Sequence, residues 1–138
     1  MGTLSLKTAE EIIEGARFQT AQLKADFCIA IVDIRGDLVA MVREDNAPWR
    51  SIFICQGKAA ASAAFMRPSS ELAENAGSPV YQGLMSMLGG RMIPGQGALP
   101  VYDGESIIGA IGVSGGPSEE DEQVALAGLT HAGFRSSP

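Results

Sequence analysis

The sequence predicts an α+β fold, a mainly antiparallel sheet with helices packed on it. Its apolar β-rich runs come in pairs, 27–34 with 38–43 and 99–102 with 106–113, each joined by a short glycine turn. Strands joined that tightly run antiparallel, because a parallel crossover needs a dozen or more residues. Helical periodicity lies before, between and after the two pairs, so helices are left to cover the sheet.

Residues Ser5 to Lys24 read as an amphipathic helix, with Leu6, Ala9, Ile12, Ile13, Ala16, Thr20 and Leu23 on one face. Ser5 or Thr8 is suited to cap it, and Thr8 with Glu11 makes a capping-box pattern. Phe27 to Ile34 and Leu38 to Arg43 form a hairpin across Arg35-Gly36-Asp37. Both runs are apolar on both faces, so the sheet is expected to be covered on two sides, by helices and by a partner subunit.

Asn46-Ala47-Pro48 breaks the pattern, and Trp49 to Met66 reads as a helix. Its alanines at 59, 60, 61, 63 and 64 permit close approach, and Arg50 and Lys58 are its only charges. Ser69 to Asn75, capped by Ser69 or Ser70, and Val80 to Leu88 are two short helices. Residues 89–100, GGRMIPGQGALP, read as bends around a short strand. Leu99 to Tyr102 and Ser106 to Val113 pair across Asp103-Gly104, an Asp-Gly hairpin signal. Ser118 caps a last helix to His131, and GFRSSP is expected to fray.

The 138 residues correspond to one domain. Apolar residues make up 46% and aromatics only 6%, so the core must rest on Ile, Val, Leu, Ala and Met. A net charge of -6 with no basic run argues against nucleic acid and against a polybasic membrane contact. No apolar stretch reaches the roughly 18–20 residues that span a bilayer, and Glu10, Glu11 and Glu14 interrupt any secretory signal. A cytoplasmic protein is expected. Cys28 and Cys55 sit in apolar runs as small buried hydrophobes, with a disulfide disfavoured by cytosolic reduction. Two cysteines and one histidine are too few for a metal cage, so no metal is expected.

Three segments together resemble the GlcG/HbpS family, which includes a domain fused to some corrinoid adenosyltransferases. IVDIRGDLVA (31–40) resembles the family's V-V-D-x-x-G-x-L-V-A, and QGKAAASAAF (56–65) its K-A-x-x-A-A helix. GAIGVSGGPSEEDEQVALAG (109–128) is similar to its G-A-I-G-V-S-G-G ending. The resemblance implies a profilin-like fold, a five-stranded antiparallel sheet flanked by helices. It implies homo-oligomers, dimer-based and up to octamers, and haem binding as in some relatives. Two departures stand out. The only histidine, His131, lies outside the matching segments, leaving Tyr81, Tyr102, a methionine or a cysteine as iron ligands. Gly97-Ala98-Leu99-Pro100 replaces the family's G-G-I-P.

The candidate site lies between Asp33, Lys58, Arg91 and the Gly115-Gly116 turn. Lys58 either snorkels, pairs with an acid, with Asp33 as natural partner, or serves as carboxylate anchor or base. Arg91, in a glycine-rich loop, is suited to clamp a carboxylate or a haem propionate, or else stabilises the loop. Ser114, Gly115 and Gly116 present backbone N–H groups at the start of the last helix, an arrangement that binds anions. Against that, Ser118 and Asp121 form a capping-box pattern, and Glu119 and Glu120 complement the dipole and repel an anion. Trp49, Phe53, Phe65, Met66, Met85, Met87 and Met92 line an apolar pocket or, more often for such stripes, build core. His131 is expected to be exposed at a helix C-terminus, and Met41 and Cys28 to be core.

Three functions from different classes follow. The first is a small oligomeric ligand-binding protein of the haem-binding kind. The second is a cofactor-independent isomerase, hydratase or lyase acting on a small carboxylate in catabolism, with Asp33, Lys58, Glu120 and Asp121 as acid–base groups. A structural assembly module is the third possibility.

Overall fold

The computed structural model describes residues 3–138. In chain order it contains α1 (Leu6–Thr20), β1 (Cys28–Asp33), β2 (Leu38–Arg43), α2 (Ser51–Phe65), a 3-10 segment (Ser69–Asn75), α3 (Pro79–Met87), β3 (Ala98–Asp103), β4 (Ser106–Ser114) and α4 (Ser118–Ala132). The sheet order is β2-β1-β4-β3 and every pairing is antiparallel. Each predicted hairpin forms. The central pair joins strands from the two hairpins, with Ile31 opposite Ile111.

Strand alternation sorts the two faces. Ile29, Ile31, Ile111 and Val113 pack with Ala9, Ile12 and Ala16 of α1 and Val124, Ala125 and Leu129 of α4. On the other face Val32 and Ala110 meet Ala59 and Ala63 of α2. The second face is built from small residues, so α2 lies close to the strands. At Gly112 a Cβ would run into the Cys55 carbonyl and Ala59. Both faces are therefore covered by the chain's own helices, although β2 at the sheet edge stays partly exposed.

Several local expectations are corrected. α1 ends at Thr20, not Lys24, where Gln22 and Leu23 close 3-10 turns onto Gln19 and Thr20. Its cap is Ser5, whose hydroxyl accepts the Thr8 N–H. Ser69 caps nothing, because its buried hydroxyl is turned inward to accept the Ala98 N–H. Pro117, not Ser118, is the N-cap residue of α4. The four-residue spacing of Asp121 from that cap sends its carboxylate back to the Gly116 N–H instead.

The described residues form four strands rather than the five that the resemblance implies. At the β3 edge of the sheet the chain end makes one bridge, with Tyr102 and Arg135 exchanging backbone hydrogen bonds. That pairing and the packing of Phe134 on the core hold a tail that was expected to fray.

Candidate functional site

The predicted site residues divide into two groups on different sides of α2. The first is enclosed. Lys58 points from α2 past the end of β4, and its Nζ donates to Val113 O and to Asp121 Oδ2, both at 3.1 Å. Asp121 Oδ1 accepts the Gly116 N–H at 3.0 Å. Gly97 roofs the pair. Its φ is +137°, and a Cβ there would press on Lys58 Nζ, Val113 O and Asp121. Burial pushes the Asp121 carboxyl up, while Lys58 and the Gly116 N–H pull it back down. Ser114 is buried at the end of β4, and Gly115 (φ +133°) is pressed against the Asp26–Phe27 backbone. The Gly115-Gly116 turn thus spends its N–H on the chain's own carboxylate.

Asp33 is not the partner of Lys58, contrary to expectation. It caps its own hairpin, accepting the N–H groups of Arg35 and Asp37 at Oδ1. Short carboxylates at a turn satisfy backbone two to four residues on more readily than they reach across a helix. Glu120 is half-buried at the start of α4 and makes no side-chain hydrogen bond among the described residues.

The second group is open. Arg91 Nη2 donates to Asp37 Oδ1 at 2.8 Å and to Gly36 O at 3.2 Å, fastening the glycine loop to the β1–β2 turn. Gly36 sits at φ +83° against Ala60 of α2, and Gly57 leaves room for Ile93. Between them is a groove of about 300 Å3, lined by Leu38, Phe53, Gly57, Gly90, Arg91 and Ile93 among others. Arg91 Nε and Nη1 have no partner among the described residues. Trp49 stands beside this groove, 67% exposed, edge-on to Phe53 at 6.1 Å.

The aromatic and methionine residues do not converge on one pocket. Phe53, Met66 and Met87 are exposed, Met92 is buried, and Phe65 stacks on Tyr81 at 4.7 Å. His131 is exposed, as expected, and sits edge-on to Phe18 in a separate groove between α1 and α4. Sequence reasoning missed Glu44. It accepts the Phe27 N–H and the Thr20 hydroxyl and pairs with Arg17, tying α1 to the first hairpin. Its only signal was an acid directly after an apolar strand.

The model of the HbpS-like family, described as haem degrading protein HbpS-like, matches residues 4–130. The chain belongs to the HbpS-like family. A relative of this HbpS-like chain is an uncharacterized 15.0 kDa protein of the dhaT–dhaS intergenic region of Citrobacter freundii, 28% identical over 131 residues, covering 94% of this chain and 92% of the relative. A crystal structure of a Streptomyces reticuli HbpS double mutant superposes with TM-score 0.80 at 27% identity, covering 94% of this chain and 87% of that one. The crystal structure of a PduOC:heme complex superposes with TM-score 0.87, covering 99% and 100%; at 24% identity it shows a shared fold.

The family description names haem, and the open groove of the HbpS-like chain fits part of it. Leu38, Phe53 and Ile93 offer apolar contact to the edge of a porphyrin plane and the free N–H groups of Arg91 suit a propionate, while Gln56 and glycine backbone make much of the remaining lining polar. The iron is not fitted. No lining residue of the groove is His, Cys, Met or Tyr. Tyr102, one sequence candidate for the iron, is buried, and its hydroxyl donates to Met66 O at 3.4 Å.

Proposed function

We propose that this chain is a binding protein for a haem-type ligand, a flat apolar molecule edged with carboxylates, acting as a homo-oligomer in the cytoplasm. The observation that carries this reading is the groove of about 300 Å3 where Arg91 meets Leu38, Phe53 and Ile93. Membership of the HbpS-like family supports it. The volume is at the small end of ligand pockets, about 300–1,000 Å3, so one chain holds only an edge of the ligand. Exposed Trp49, Phe53 and Leu38 give a second copy an apolar rim on which to close. A dimer-based assembly completes the site in this reading.

With no iron ligand in the groove, affinity rests on the porphyrin plane and the carboxylate–guanidinium contact. Haem and metal-free protoporphyrin should then bind with affinities within a few-fold of each other. Titration of each, followed by the Soret band and by quenching of Trp49, the only tryptophan, tests this. Absence of both signals at micromolar ligand overturns the reading. The catalytic alternative, an isomerase, hydratase or lyase, gains no support from the geometry, because Lys58 and Asp121 are enclosed.

A further inference from the structure

A sulfur cluster lies on the α2 face of the sheet, separate from the groove. Alternation along β1 puts Cys28 and Ala30 on that face, and the β1–β2 register sets Met41 opposite Ala30. Gly112 on the neighbouring strand lets α2 settle onto the sheet at Cys55. Cys55 Sγ consequently stands 3.8 Å from Met41 Sδ, and Cys28 packs in the same buried cluster. The rest of the enclosure is Ala30, Ala47 and Ile52, all apolar. The oxygen hydrogen-bonded to Cys55 Sγ is the Ile52 carbonyl, 3.4 Å away.

We infer that Cys28, Cys55 and Met41 form a binding site for a soft monovalent metal ion, Cu(I). Thiolate and thioether ligands select Cu(I) over hard cations, which require oxygen. Three sulfurs about 2.3 Å from a trigonal centre lie about 4 Å apart, close to the 3.8 Å between Cys55 Sγ and Met41 Sδ, and Cys28 lies in the same packed cluster. Binding breaks two S–H bonds and forms two Cu–thiolate bonds and one Cu–thioether bond; two protons leave to solvent and no electron is transferred. The product carries one net negative charge. Burial opposes that charge at both thiols; Arg43 acts favourably at Cys28 and Lys58 at Cys55, and Glu44 opposes it at Cys28. Met41 is half-buried on the edge strand β2, so its unbranched side chain gives the ion a way in.

Anaerobic titration of the full chain with Cu(I), in competition with bathocuproine disulfonate, tests the site. The expected result is one copper per chain, with a sulfur-only first shell by X-ray absorption. The paired change Cys28→Ala and Cys55→Ala should abolish uptake. Met41→Leu, which conserves volume, should weaken binding about tenfold or more, the loss of one ligand. In the unmutated chain the Met41 methyl resonance should shift on loading, which keeps the test independent of how the variants fold. Copper left on the chelator, a nitrogen or oxygen shell, or an unmoved Met41 methyl overturns the inference.

Discussion

Lys58 Nζ stands 3.1 Å from Asp121 Oδ2, with both side chains buried, and this contact joins the helical layers on opposite faces of the sheet. α2 carries the lysine and α4 the aspartate, and the pair passes the end of β4 beneath Gly97. A buried pair of this kind adds little net stability over apolar residues, yet removing one partner strands the other charge.

Lys58→Ala should therefore destabilise the chain by about 3–5 kcal/mol. Lys58→Met combined with Asp121→Asn should recover much of that, since Asn still accepts the Gly116 N–H. Urea denaturation of the variants measures both. A loss below about 1 kcal/mol in Lys58→Ala would show that the pair is not what holds the two layers.

The cysteines give a pH dependence with a definite sign. Burial pushes the Cys55 thiol from 9.0 up to about 12. Between those values the unfolded chain has lost the proton that the folded chain keeps, so the unfolded state binds fewer protons and rising pH favours it. The stability from the protonated thiol is complete below about pH 9 and is lost as pH rises toward 12. Over that window the wild type should lose about 1.4 kcal/mol per pH unit more than Cys55→Ala. Parallel stability curves for the two proteins would contradict this.

Arg91 separates binding from stability. Its pair with Asp37 is half-exposed on both sides, so Arg91→Ala should cost less than about 1 kcal/mol. The same variant should weaken porphyrin binding about tenfold, the worth of one charge-assisted hydrogen bond. Arg91→Lys should recover only part, because an ammonium cannot grip a carboxylate bidentately. Calorimetric unfolding alongside porphyrin titration reads the two effects separately.

Close approach of α2 depends on Gly112. Gly112→Val should cost about 3 kcal/mol or more, since its side chain would have to displace the Cys55 carbonyl and Ala59. Gly77→Ala, with nothing within 4 Å of the added carbon, should stay within about 0.5 kcal/mol of wild type. Equal thermal midpoints for the two variants would refute the packing account.

The chain end is a further test. Removing residues 134–138 deletes Phe134 from the core and both Tyr102–Arg135 backbone bonds. A loss of about 2 kcal/mol and a rise in aggregation are expected, because the β3 edge loses the one bridge that covers it. Unchanged solubility and stability would mean that the bridge is dispensable.

Much of this molecule was legible in one dimension. The hairpins at 35–37 and 103–104 and the three long helices follow from periodicity and turn chemistry, which act over a few residues. Lys58, Arg91 and Gly116 could be picked out as chemically loaded positions on the same grounds. Their partners could not, because a hydrogen bond is chosen among groups that the fold brings near. Asp33 was the plausible acid for Lys58, yet its own turn amides lie closer, and Asp121, 63 residues beyond Lys58, takes the role.

By itself, then, the sequence determined the element order, the two-faced sheet, the HbpS-like family and the absence of a matching-segment histidine. Only the tertiary structure decided that the expected single site is two, an enclosed ion pair and an open arginine groove on different sides of α2. It alone brought Met41 to Cys55, although no spacing in the chain links them. The physical reason is register: strand pairing and the missing side chain of Gly112 set which distant groups touch, and neither leaves a local mark.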